Sequence, residues 1–470
     1  MKTFGKMIVA AALATCSTGA LVQTAAAQAD GGPVSMREAI ETAITSNPDI
    51  IQAQMNTEAI QFEREQAQSL YFPTIDVEGS AGVRRLENTT RRALGIADDV
   101  LYPLEAQARL DWTVLDFGRR RNELLRQAAR VDGASLRVVE RSEFIALQVA
   151  RQYLNILLQE RVVAASSDNV TFHRQMTGSL QEGVDSGSIS VADLQQAEER
   201  LQAALVLQAE AEQDLTDART ALRRLTGLDI SRVNLPPVLS GQMPETQEAA
   251  IGLARTANPL VREAQADVDA ANAMVGASRA SLAPQVGVEV VGRIGEDIDG
   301  FQGETNDVLG RAYVRWQLFD GGRRVAEVQE MVRRASEARY RLHDRVREAE
   351  EDVANAWSAM TTQGTVGTAL ERQSQVSDDL LLSYRSQFNI GRRSLLDVLD
   401  AQNTRFNTQV RRETSRFSEI FAQYQVLAAT NRFLEALDVA PGAGSGMNER
   451  ERFDYGPSVD AELHRRRYPR

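Results

Sequence analysis

Two spacings of apolar residues alternate along the chain, and each occurs twice. After Pro73 they fall at every second position: Ile75, Val77, Gly79, Ala81 and Val83 share one side, with Thr74, Asp76, Glu78, Ser80 and Arg84 opposite. A second run is more regular, with Leu104, Ala106, Ala108, Leu110, Trp112 and Val114 alternating with Glu105, Gln107, Arg109, Asp111 and Thr113. Further along, Val286, Val288 and Val290 alternate with Gln285, Gly287 and Glu289. Ala312, Val314, Trp316 and Leu318 likewise alternate with Arg311, Tyr313, Arg315 and Gln317. A period of two is that of a strand with one apolar and one polar face, so each half predicts a two-stranded hairpin.

Elsewhere long segments rich in Ala, Gln, Arg, Glu and Leu predict helices. No Pro interrupts the chain from Arg119 to Pro236, or from Arg323 to Pro441. The first helix runs to about Val184, where Asp185-Ser186-Gly187-Ser188 breaks it; at ~1.5 Å per residue its length is on the order of 100 Å. Its counterpart runs from Arg323 to about Asn389, before Gly391, and a second helix returns from each break, ending near Gly227 and Leu437. Hairpins of that length exceed a globular core and predict the wall of a coiled-coil tube.

The two halves are copies. Asn47-Pro48 and Asn258-Pro259 lie 211 positions apart, as do Pro73 and Pro284. Beyond the next loop the offset becomes 204, relating Trp112 to Trp316, Asp116 to Asp320, Gly118-Arg119-Arg120 to Gly322-Arg323-Arg324, Tyr153 to Trp357, Gly187 to Gly391 and Asp193 to Asp397. The shift of seven is a longer loop in the first half. Asn before Pro starts a helix, since the Asn side chain accepts from free amides and Pro at the first helical position gives up an N–H that would be unpaired. Asp116-Phe117-Gly118 and Asp320-Gly321-Gly322 read as strand-to-helix turns, in which Gly permits the tight backbone and Asp caps the helix. The expected organisation is a leader over 1–29; a first repeat over 30–239, with a β-hairpin at about 74–115 and a helical hairpin at about 118–228; a second repeat over 240–440, with corresponding hairpins at about 285–319 and 322–437; and a disordered polar tail over 441–470.

Strands of about ten residues with one apolar and one charged face fit a transmembrane barrel wall, and Trp112 and Trp316 near the strand ends fit an interfacial aromatic belt. Alternation alone fits a half-buried sheet in a soluble domain better; the lack of other strands to pack against is what favours the barrel. Four strands cannot close one, because single-chain membrane barrels begin at about eight and an open edge in lipid leaves backbone groups unpaired. The membrane reading therefore requires strands pooled across subunits.

Composition agrees with export. Lys2 and Lys6, the apolar run from Met7 to Ala14 and the small residues Ala25-Ala26-Ala27-Gln28-Ala29 have the anatomy of a cleavable leader. Leu13-Ala14-Thr15-Cys16 fits a lipoprotein box poorly, because Thr precedes the cysteine. Cys16 is the only cysteine and leaves with the leader, and loss of the two lysines takes the net charge from −12 to −14. An acidic chain without a basic, aromatic-interleaved patch argues against nucleic acid. An enzyme is disfavoured too: His173, His343 and His464 are not spaced as a helical metal pair, and no phosphate loop, nucleophile elbow or reactive thiol occurs, so no catalytic, metal or cofactor site is expected.

From about 34 to 438 the chain resembles the TolC family of outer-membrane channel-tunnels, which serve drug efflux pumps and type I secretion. The resemblance rests on Asn-Pro in both halves, on Leu318-Phe319-Asp320-Gly321-Gly322-Arg323, and most specifically on Phe388-Asn389-Ile390-Gly391-Arg392-Arg393-Ser394-Leu395-Leu396-Asp397-Val398-Leu399-Asp400-Ala401-Gln402. It implies a mainly α protein with a small β-barrel contribution, a homotrimer pooling twelve strands into one outer-membrane barrel above a twelve-helix periplasmic tunnel. It also implies a passive exit duct for drugs, small molecules or proteins, partnered by a periplasmic adaptor and an inner-membrane transporter of RND, ABC or MFS type.

The resemblance places a constricting acidic ring at Asp397 and Asp400, which share a helix face three residues apart, so three chains would bring six carboxylates to one axis. It places entrance-closing links between the two hairpins at Asp193 and Arg393. Where the family commonly has tyrosine this chain has Phe388, which cannot donate a hydrogen bond and reads equally as hairpin-end packing. The halves part here: Asp193 is followed by Gln196 and Ala197, whereas the second half carries Arg393, Asp397 and Asp400, which puts the expected gate in the second half. The rival reading is a periplasmic coiled-coil adaptor or structural envelope protein. An adaptor would carry compact β-domains around one hairpin; this chain has two hairpins and isolated strand pairs.

Overall fold

The computed structural model describes residues 33–453. The expected leader, with Cys16, and the chain from 454 onward lie outside the described residues. The first half comprises α1 (Met36–Ser46), α2 (Pro48–Ser69), β1 (Thr74–Ala81), an excursion of β2 (Arg84–Arg85), α3 (Thr89–Ala93) and β3 (Val100–Leu101), then β4 (Leu104–Leu115), α4 (Arg119–Asp185) and α5 (Val191–Thr226). The second repeats it as α6 (Gln247–Ala257), α7 (Pro259–Ala280), β5 (Gln285–Glu296), β6 (Glu304–Arg315), α8 (Arg323–Asn389) and α9 (Leu395–Ala429), closed by the short α10 (Phe433–Ala436).

The Asn-Pro pairs do two jobs each. Asn47 Oδ1 accepts from the Asp49 N–H at 3.0 Å, while its amide nitrogen donates to the Leu225 carbonyl at 3.2 Å. Asn258 repeats both contacts, with the Leu260 N–H at 2.9 Å and the Ala429 carbonyl at 3.1 Å. Each Asn thus starts one helix and ties it to the end of its own half's returning helix, which is why two polar side chains are buried there. Around this level the main apolar core gathers Ile40, Val149, Leu222, Leu427 and Phe433. Tyr153 and Tyr424 place their hydroxyls on carbonyls of the inter-repeat linker, Asn234 at 2.9 Å and Pro237 at 2.8 Å.

The two expected β-hairpins are one sheet. Strand order is β1-β4-β5-β6, antiparallel throughout, so the halves join through β4 and β5. The register lines up Ile75, Leu110, Val290 and Gly310 across one face and Asp111, Glu289 and Arg311 across the other. The apolar face is open: Val77 is 78% exposed and Val308 80%. The polar face is cross-linked, with Arg311 on Glu289 at 2.8 Å, Arg293 on Asp307 at 2.9 Å and the Tyr313 hydroxyl on Asp111 at 3.1 Å. The outer edges of β1 and β6 have no partner strand among the described residues.

Two segments differ from a plain loop or tail. The longer loop of the first half is held by Arg91, 1% exposed, whose guanidinium donates to the carbonyls of Ile96 (2.7 Å), Asp99 (3.0 Å) and, across the repeat, Gly300. The expected disordered tail is, over 442–453, a strap along α4. Its backbone N–H groups donate to the side chains of Ser142 (from Gly442, 3.0 Å), Ser135 (from Met447, 3.1 Å) and Asp132 (from Glu449, 2.6 Å, and Arg450, 3.0 Å). Arg450 bridges Asp132 on α4 and Asp269 on α7 at 2.9 and 2.8 Å, and Glu449 pairs with Arg64 on α2. Polar composition suggested a free segment, but its partners are buried polar residues of α4, which need these donors.

Candidate functional site

Two places carry polar geometry repeated or opposed between the halves: the strand-to-helix corners and the hairpin tips. At the first corner Asp116 accepts from the backbone of Gly118 (3.2 Å) and Arg120 (2.9 Å) and from Arg120 Nε (2.9 Å). Arg120 then reaches back to the carbonyls of Thr113 at 2.6 Å and Val114 at 3.1 Å. Asp320 and Arg324 rebuild the same unit, with Gly322 N–H at 3.2 Å, Arg324 Nε at 2.8 Å and Arg324 donating to the Ser281 carbonyl at 2.8 Å. Gly118 and Gly322 have φ of +93° and +86°, which only glycine adopts freely. Gly321 is also left-handed at +69°, yet Phe117 holds φ +54° at the same place in the first corner. Sequence reading picked out the aspartates and glycines of these turns; it missed Arg120 and Arg324, although the 204-residue repeat carried them. Each corner is locked to its preceding loop by a tryptophan: Trp112 Nε1 donates to the Tyr71 carbonyl at 3.0 Å, and Trp316 Nε1 to that of Leu282 at 3.1 Å.

At the far end, the tips of the two helical hairpins meet. Gly187 (φ +75°) and Gly391 (φ +72°) turn the chain, and Ser190 and Ser394 cap the returning helices. An apolar cluster of Met176, Leu180, Leu194, Leu381, Leu395 and Val398 packs the hairpins together, with Phe388 and Tyr384 against it. Beside it a cleft of about 610 Å³ is lined by Asp193, Phe388 and Arg393, among others.

All three candidate closing residues therefore reach one cleft, but the expected Asp193 to Arg393 ion pair is not formed. Asp193 accepts from the Ser190 hydroxyl at 2.7 Å. Arg393, in the turn between α8 and α9, stays within its own hairpin, donating to Gln387 at 3.0 Å, lying 3.7 Å from Asp397 and stacking 4.2 Å over the Tyr384 ring. Local caps and a stacking partner outcompete a contact across the open cleft. Asp397 completes a reciprocal cap with Ser394, accepting from its hydroxyl at 2.8 Å and its N–H at 3.3 Å. The Ser394 hydroxyl above all, then its N–H and the Arg393 charge, hold the Asp397 carboxyl below its ordinary pKa against a desolvation that would raise it. Asp400, one turn on, is exposed.

Among the described residues no helix is long and apolar enough to cross a membrane. The family model for outer membrane efflux proteins matches residues 39–228 and 250–437, one span in each repeat. The chain belongs to the outer membrane efflux protein family. That membership makes it an outer-membrane channel protein of transport. Among its relatives is Protein CyaE of Bordetella pertussis, 28% identical over 63% of this chain and 62% of the relative, so the chain spans a little under two thirds of that protein. The solvent efflux pump outer membrane protein SrpC of Pseudomonas putida is 26% identical over 83% of each chain. The solved Campylobacter jejuni CmeC outer membrane channel shares the fold with a TM-score of 0.76 at 14% identity, covering 89% of this chain and 88% of that one.

Proposed function

We propose that this chain is the passive exit duct of a tripartite efflux pump or type I secretion system, a homotrimer gated at its periplasmic end. The observation that carries the reading is the sheet: among the described residues it has four strands, one face apolar and uncovered, and two edges without partner strands. Such edges in lipid demand strands from neighbouring subunits, and three copies supply twelve, above the minimum for a closed barrel. The helical hairpins below would then line a tunnel whose narrow end is the pair of tips.

At that end Asp400, with Asp397 one turn away, forms the acidic constriction. Asp397 stays charged through mildly acidic conditions because its cap and Arg393 favour the carboxylate. The likeness to SrpC, named as the outer-membrane protein of a solvent efflux pump, supports an adaptor and an inner-membrane transporter as partners. A passive duct leaves cargo choice to that transporter, so the same architecture serves small molecules and proteins. Fractionation tests the reading: recovery from the outer membrane as a heat-modifiable trimer that conducts ions in planar bilayers supports it, and a soluble periplasmic monomer refutes it.

A further inference from the structure

Near their tips the two helical hairpins are joined by a contact of polar groups alone. Gln402 on α9 donates from Nε2 to Asn169 Oδ1 on α4 at 2.8 Å, with 1% and 6% of the two residues exposed. Gln402 is seven residues into α9, on the order of 10 Å from its start at ~1.5 Å per residue. The pair therefore sits next to the apolar tip cluster, on the side away from the entrance, since Val398, Leu399 and Ala401 of that cluster precede it on α9. Gln402 Oε1 is buried with no hydrogen-bond partner among the described residues, and so is His173 Nδ1, one helical turn from Asn169 on α4.

We propose that Asn169 and Gln402 form the releasable lock between the two hairpins of each subunit, an amide pair that fixes their register when the entrance is shut and becomes hydrated when they part. The proposal rests on the gated-duct reading. A polar pair buried in a helix–helix seam specifies register at a cost in stability, because sliding leaves both groups without partners. An unpaired acceptor beside it adds a cost that water relieves once the seam opens. The seam is thus apolar enough to hold and polar enough to release. Unlike the charged tip, an amide lock does not weaken with salt.

The test is single-channel recording of the full-chain oligomer in planar bilayers. Asn169→Ala, which strands Gln402 entirely, raises conductance or open probability several-fold, equally at low and high salt. Asn169→Leu with Gln402→Leu, which extends the apolar seam, lowers both below wild type. Wild-type behaviour of both variants, or opening by the leucine pair, overturns the lock. Because the leucine pair could disturb folding, Asn169→Cys with Gln402→Cys is bridged by a short bifunctional thiosulfonate; conductance falls on bridging and recovers with reductant. Bridging without effect also overturns the proposal. Channels in the wild type with unresponsive variants refute the lock alone, whereas absence of channels in the wild type refutes the duct itself.

Discussion

Replacing Asp132 by alanine frees the C-terminal strap. The Asp132 carboxylate, its side chain 2% exposed, receives the Glu449 N–H, the Arg450 N–H and Arg450 Nε. Removing one partner of a buried ion pair costs about 3–5 kcal/mol; because Arg450 keeps Asp269 on the far side, about 3 kcal/mol is the expected value. At 1.4 kcal/mol per decade, that raises the population of detached strap roughly 150-fold. Trypsin cleavage after Arg450 and Arg452, followed by intact mass, reads this population directly where reclosing outpaces cleavage. Ser135→Ala, which removes one neutral acceptor worth about 1 kcal/mol, raises cleavage only about fivefold. An Asp132→Ala strap cleaved within about threefold of the wild-type rate would show that the segment is held by something other than its polar ladder.

Asp397→Ala with Asp400→Ala abolishes block by multivalent cations in planar bilayers while leaving the oligomer intact; retained block places the constriction elsewhere. Arg91→Ala unpins the long outer loop from Gly300 and exposes 86–101 to protease added to intact cells, with the wild-type loop resistant; equal cutting of both refutes the latch. His173 is kept neutral chiefly by burial, then by Arg200, with Glu199 opposing. Its pKa in the packed hairpins lies below its value when hydrated, so its contribution to closure is full above the ordinary histidine range and declines as pH falls below about 6.5. Channel opening therefore increases with mild acid, and His173→Leu removes that dependence; an unchanged pH profile sinks the assignment.

Local rules in this chain are strong enough to be read without coordinates. Asn47-Pro48 and Asn258-Pro259 start helices because a side-chain acceptor and a missing N–H suit a helix end wherever it lies. The Val and Ala alternation around Trp112 and Trp316 makes strands because a pleated backbone has a period of two, and the duplication repeats each signal. Periodicity names the faces of a strand and not its neighbours, however. Only the folded chain joins β4 to β5 and leaves β1 and β6 open, because pairing depends on which polar rows, such as Asp111, Glu289 and Arg311, come into register. The family resemblance paired Asp193 on the first hairpin with Arg393 on the second; in the fold both line one cleft with Phe388, but side-chain direction was decided by the nearest partner, Ser190 for Asp193 and Tyr384 with Gln387 for Arg393. Asn169 with Gln402, and Asp132 with Arg450, were illegible for the same reason. Their partners are 233 and 318 residues away, and nothing in the local sequence of a polar residue on a long helix says whether water or another chain segment will satisfy it.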